Sequence, residues 1–188
     1  MGLLRLAPLY KLVIEPERQP ISGVELLRPD AVGDESECSK YPDSGQNFEK
    51  VDEVVPDYAA TYVYSTLRIG TDDDLYNLED HVAGKGTIDK IKLSALCYGH
   101  DDSITYPSIR FYIKSGATED VKDPDEGVAL PTETWVWKTV EWTINPDTLL
   151  PFTWDDIDAL QAGYKLRGSY HHDEGRVTQF YIEVYYTY

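Results

Sequence analysis

Basic residues are scarce: 17 Lys and Arg stand against 34 Asp and Glu, a formal charge of −17. Phosphate binding needs a basic footprint, so nucleic acid is excluded as a partner, and an anionic membrane is disfavoured for the same reason. No apolar run approaches the ~20 residues that cross a bilayer. Cysteine is nearly absent. Cys38 and Cys97 are the two present, with no CxxC pair, which excludes a zinc knuckle and leaves their pairing open. Also missing are a Gly-x-Ser-x-Gly elbow, a phosphate-cradling glycine loop, an HExxH and any repeat of 20–50 residues.

Aromatic residues are what the chain has in plenty, with 15 Tyr, 4 Trp and 4 Phe among 188 residues. That content argues against disorder despite the charge. A chain of this length buries about 70% of its unfolded surface and needs no disulfide scaffold. The N-terminus is apolar, but Pro8, Arg5 and Lys11 interrupt it and no small-x-small cleavage site follows. It reads as mature protein made in a cytoplasm, without a signal peptide.

Residues 62–64, 88–97, 109–113, 134–142 and 177–186 are β-branched and aromatic runs of period two, with Gly, Pro, Asp and Asn between them. Each has one apolar face: Ile91, Leu93, Ala95 and Cys97; Ile109, Phe111 and Ile113; Phe180, Ile182, Val184 and Tyr186. This predicts an all-β antiparallel sandwich, jelly-roll-like, over residues 23–188. One helix is expected over 153–161, capped by Thr153 and Asp156, stopped near Gly163, with Ile157 and Leu160 plugging one end of the sandwich. Residues 30–54 read as a long connection. Residues 1–22 read as an extended N-terminal arm. Its Leu3, Leu4, Leu6, Leu9, Leu12 and Ile14 form a latch that either folds back as an edge strand or pairs with a neighbouring subunit.

Several runs carry a resemblance: Leu26–Asp34, Gly45–Glu53, Thr61–Tyr64, Asp74–Leu78, Gly86–Ile88, Trp142–Thr148, Thr153–Gly163 and Arg176–Val184. Together, over residues 24–188, they resemble small β-sandwich proteins encoded among the structural genes of tailed viruses of bacteria and archaea. The layout is also similar to jelly-roll carbohydrate-binding modules. The resemblance implies a non-enzymatic virion protein on the outer surface, either a capsid decoration subunit or a tail or fibre component. Its partners would be other copies of itself and other virion proteins. The alternative is a carbohydrate-binding module or adhesin that takes a surface glycan.

Within Thr134–Trp142 the alternation puts Val136, Val140 and Trp142 inward and Trp135 and Trp137 outward. Outward indoles suit sugar rings or a neighbouring subunit, unless the chain covers them itself. Tyr185 and Tyr188 near the C-terminus are candidates for the same contacts. No catalytic residue and no cofactor is expected, with one exception. The acidic loop Asp120, Asp123, Asp125 and Glu126 is a candidate structural calcium site, as is the triplet Asp72 to Asp74, although neither has EF-hand spacing. His171 and His172 read as a hairpin tip.

Overall fold

The computed structural model describes residues 21–100, 107–122, 127–168 and 174–188. These form strands β1 (Ser22–Leu27), β2 (Pro29–Ser36), β3 (Ser39–Tyr41), β4 (Tyr62–Ser65), β5 (Asp72–Leu78), β6 (Thr87–Gly99) and β7 (Ser108–Ser115). There follow β8 (Thr118–Val121), β9 (Val128–Ala129), β10 (Val136–Trp142), helix α1 (Trp154–Asp158), β11 (Gln161–Arg167) and β12 (Gly175–Thr187). The strands make two antiparallel sheets packed as a sandwich. The first runs β10-β6-β12-β4-β3 with β1 also on β12; the second runs β2-β5-β11-β7-β8 with β9 also on β7.

The core follows from alternation. Ile91, Leu93, Ala95 and Cys97 on β6 and Phe180, Ile182 and Val184 on β12 are fully buried against Tyr76, Ile109, Ile113, Ala162, Tyr164 and Leu166 of the second sheet. Each large side chain so buried contributes about 1.5–3 kcal/mol. Tyr186 departs from the expected inward set. A register shift between Tyr185 and Tyr186 takes it out of step, and its ring meets Trp154 edge-on at 5.3 Å. Tyr112, expected on the wet face, is fully buried, with the Lys165 ammonium 4.2 Å from its ring centre.

The long connection expected over 30–54 contains β2 and β3, which close one edge of each sheet. The helix is shorter than expected, ending at Asp158, and Gly163 lies inside β11. There a Cβ would overlap the Asp74 carbonyl of the neighbouring strand, so glycine permits the close approach of β11 to β5. The capping box is as expected: the Thr153 hydroxyl accepts from the Asp156 N–H at 3.2 Å, and the Thr153 N–H donates to the Asp156 carboxylate at 2.8 Å. Ile157 and Leu160 are buried in the core.

The second sheet carries a polar knot. Asp74, fully buried, accepts from the Cys38 N–H (3.0 Å), the Asn47 amide (2.9 Å) and the Tyr76 hydroxyl (2.8 Å), which lies 2.7 Å from the Tyr164 hydroxyl. Burial outweighs these hydrogen bonds and holds the Asp74 carboxyl above the usual range. The Asp72–Asp74 triplet is thus no loop cluster for calcium: strand alternation separates Asp74 from Asp73, whose carboxylate is engaged by Lys165. Both cysteines are buried free thiols.

Candidate functional site

β12 lies at the centre of the first sheet. Along its length it pairs with β6; on the other flank β4 takes Gly175–Val177 and β1 takes Ile182–Thr187. The gap between β4 and β1 is filled by the segment after a 3-10 turn at Phe48–Lys50, and the Phe180 N–H donates to the Val51 carbonyl at 2.8 Å. This segment then crosses toward the outer face. The Gln179 amide donates to the Glu53 carbonyl, the Thr178 hydroxyl donates to the Thr61 carbonyl at 2.8 Å, and Asp57 accepts from the Thr61 N–H at 3.2 Å. The Glu53 carboxylate accepts from the Thr61 hydroxyl at 2.6 Å, and burial raises its pKa.

Anchored this way, the segment carries Tyr58 to Trp135, edge-on with 6.1 Å between ring centres. From there a chain of ring contacts crosses the sheet. Trp135 lies 5.1 Å from Tyr98 of β6, and the Arg176 guanidinium of β12 is 5.3 Å from the Tyr98 ring and 4.7 Å from the Tyr62 ring of β4. Tyr62 stacks on Tyr41 of β3 at 5.2 Å and 23°. The register makes this ladder: Arg176 is the Cα partner of both Tyr98 and Tyr64, and Tyr41 is that of Tyr62. Glu174 accepts from Arg176 Nε at 2.6 Å, and Glu133 accepts from the Tyr98 hydroxyl. Burial raises the Tyr62 and Tyr98 phenols, so both present neutral hydroxyls.

Trp135 and Trp137 face outward, as the alternation requires, while Trp142 is buried. Trp135 is half-buried between Tyr58 and Tyr98. Trp137 is 43% exposed and meets Tyr181 edge-on at 5.4 Å. Tyr41 and Tyr58 are 50% and 51% exposed, so the ladder ends in open rings on both sides.

The fold does not bring Tyr185 and Tyr188 to this ladder. Tyr185 lies farther along β12 with the Lys90 ammonium 4.8 Å from its ring centre, and Tyr188 stacks on Tyr186 where the chain pairs with Ile21. The ladder residues not singled out as site residues from the sequence are Tyr41, Tyr58, Tyr62, Tyr98 and Arg176. Their sequence signals are the period-two run that contains Tyr62 and the place of Tyr98 next to the inward Cys97.

Of the acidic loop, Asp120 accepts from the Trp142 indole N–H at 2.5 Å and pairs with Lys122 at 3.5 Å, beside an open cleft of ≈ 670 Å³. Asp123, Asp125, Glu126, the histidines 171 and 172 and the latch residues of the N-terminal arm lie outside the described residues. Among the described residues no group of three or more His, Cys, Asp or Glu is arranged to hold a metal ion, and no helix is long and apolar enough to cross a membrane.

The fold and this face define an antiparallel β-sandwich with an aromatic ladder across one sheet. No family model matches the chain, and no curated protein does. Among solved structures it is similar to the xylan-binding module CBM15, at 9% identity and a TM-score of 0.41, over 88% of this chain and 97% of that one. A likeness at this level carries no functional argument.

Proposed function

We propose that this protein is a carbohydrate-binding domain that holds its ligand on the outer face of the first sheet. The observation that carries the reading is the unbroken run Tyr58–Trp135–Tyr98–Arg176–Tyr62–Tyr41, with Trp137 beside it. Aromatic rings offer broad apolar contact, and Tyr adds a hydroxyl at the rim, a combination that suits the C–H faces and hydroxyls of sugars. Carboxylates of Asp57, Glu133 and Glu174 stand around the run as further acceptors. Binding, not turnover, is the activity assigned. A glycan array followed by calorimetry tests it. Binding is expected for the intact chain and falls by at least about tenfold in Trp137→Ala without a change in fold; an array with no signal overturns the reading.

A second reading, association in a virion as a decoration, tail or fibre subunit, is favoured by one observation. Among the described residues β1 pairs with β12 alone, and Ile21, Val24 and Leu26 along it are exposed. An edge strand with exposed apolar side chains offers itself for strand addition. Val24→Lys separates the readings: it dissolves an assembly made through β1 and leaves glycan binding unchanged. A monomeric chain at all concentrations removes the association reading.

A further inference from the structure

The ladder has a direction. Its members come in turn from β3, β4, β12, β6 and the residue preceding β10, so it runs across the strands rather than along one. Four steps between neighbouring strands at about 4.8 Å each give a length of about 19 Å. Both ends are open, since Tyr41 is half exposed at one and Tyr58 at the other. Among the described residues nothing walls the run into a pocket for a single ring. A site with this shape offers successive equivalent contacts, and its affinity grows with the length of what lies on it.

The charge on the ladder narrows the chemistry further. Arg176 is the one cation over its rings among the described residues, and its Nε is held by Glu174. Glu133 stands on Tyr98, and Glu53 and Asp57 anchor the segment that carries Tyr58. With a chain charge of −17 behind them, these groups repel a polyanion. Single-stranded nucleic acid, the other ligand that stacks on aromatic and guanidinium planes, needs a positive groove along its backbone, and among the described residues Arg176 is the one cation over the ladder's rings.

We infer that the ligand is an uncharged polysaccharide lying across the strands from Tyr41 to Trp135 and engaging roughly four sugar rings, one for each strand step. The inference rests on the carbohydrate reading above. Arg176 joins the two halves of the run in the middle: its charge is balanced by Glu174, and its guanidinium lies over the Tyr62 and Tyr98 rings.

The experiment is calorimetric titration of the full chain with neutral glucose-, mannose- and xylose-series oligosaccharides of increasing length, from one ring to six. Polygalacturonate, heparin and a single-stranded oligonucleotide are run beside them. In at least one neutral series the affinity rises with each added ring to roughly four and then levels, and the three polyanions give no heat. Tyr41→Ala, at a half-exposed edge position and with its fold checked by circular dichroism, weakens the longest oligosaccharides by about three- to tenfold, and an undiminished affinity for them overturns this inference. Levelling at one or two rings, or uronate binding as tight as neutral binding, overturns this inference while the carbohydrate reading stands. Silence from every sugar, or binding of the oligonucleotide alone, overturns both.

Discussion

The indole of Trp137 meets the ring of Tyr181 edge-on at 5.4 Å, across β6, and beneath this pair the outward residues Ser94 and Leu96 are only 1% and 3% exposed. The outer face of the first sheet is therefore a thin second hydrophobic layer, made of aromatic rings from β10, β6, β12, β4 and β3 and from the segment carrying Tyr58. Its rings keep part of their surface in water, and the proposed ligand would lie on that surface.

Trp137→Ala removes an exposed indole. The expected loss of stability is about 1 kcal/mol, since 43% of the residue is already in water. Ligand affinity falls by at least about tenfold. Trp135→Ala, which empties the space between Tyr58 and Tyr98, costs more, about 2–3 kcal/mol. Urea denaturation gives the stabilities and calorimetry the affinities; equal stability losses for the two variants would contradict the layered arrangement.

Arg176 touches two rings and Glu174, with its side chain 19% exposed. Lysine keeps the charge and loses the planar face, so Arg176→Lys is expected to cost about 1 kcal/mol. Arg176→Ala costs about 2 kcal/mol, because packing goes as well. The check is a pair of urea curves at moderate salt. A lysine variant as stable as the parent would mean that charge alone matters at this position.

Asp74→Asn replaces one acceptor oxygen with an NH2 donor facing the donors committed to Asp74, those of Cys38, Asn47 and Tyr76, and is expected to destabilise by about 3 kcal/mol at neutral pH. The pH dependence has a definite sign. The folded carboxyl titrates above its ordinary 3.8, so between that value and its folded pKa the native state holds more protons than the unfolded chain. Its contribution is greatest in acid and declines as pH rises through that window. The difference between parent and variant should accordingly be larger at pH 3.5 than at pH 7, measured by urea midpoints under both conditions.

Asp156 behaves in the opposite sense. Burial pushes its carboxyl up, but the Thr153 N–H and hydroxyl together with the Asn145 side chain more than offset this and hold it below 3.8. Such a group stabilises the fold above its unfolded pKa and loses that contribution as pH falls through the folded value. Asp156→Asn is expected to cost about 0.5–1 kcal/mol at pH 7. The difference closes as the pH is taken below about 3.8. A gap that persists in acid would place the effect elsewhere than in the capping box.

Much of the architecture was legible because half-buried antiparallel strands write their two faces into the sequence. Ile91 to Cys97 and Phe180 to Val184 alternate cleanly, and Thr153 with Asp156 spelled the start of α1. The segments that escaped were those whose strand character comes from their neighbours. β2 is acidic and irregularly paired, β3 is three residues long, and β11 contains Gly163, which reads locally as a stop and in the sheet as the residue that lets β5 approach. Gln179, polar and expected outside, is 3% exposed because the segment around Glu53 lies against it.

The chain by itself determined that it would be a β protein, which face of each long strand would be buried, that Trp135 and Trp137 would point away from the core, and that its charge would repel phosphate. These are properties of local period and composition, and they need no knowledge of partners. Tertiary structure alone decided that Tyr41, Tyr62, Arg176, Tyr98 and Trp135 would stand in one row. That row depends on strand order and register, which place β12 between β4 and β6, and these are set by how two whole sheets close on a common core.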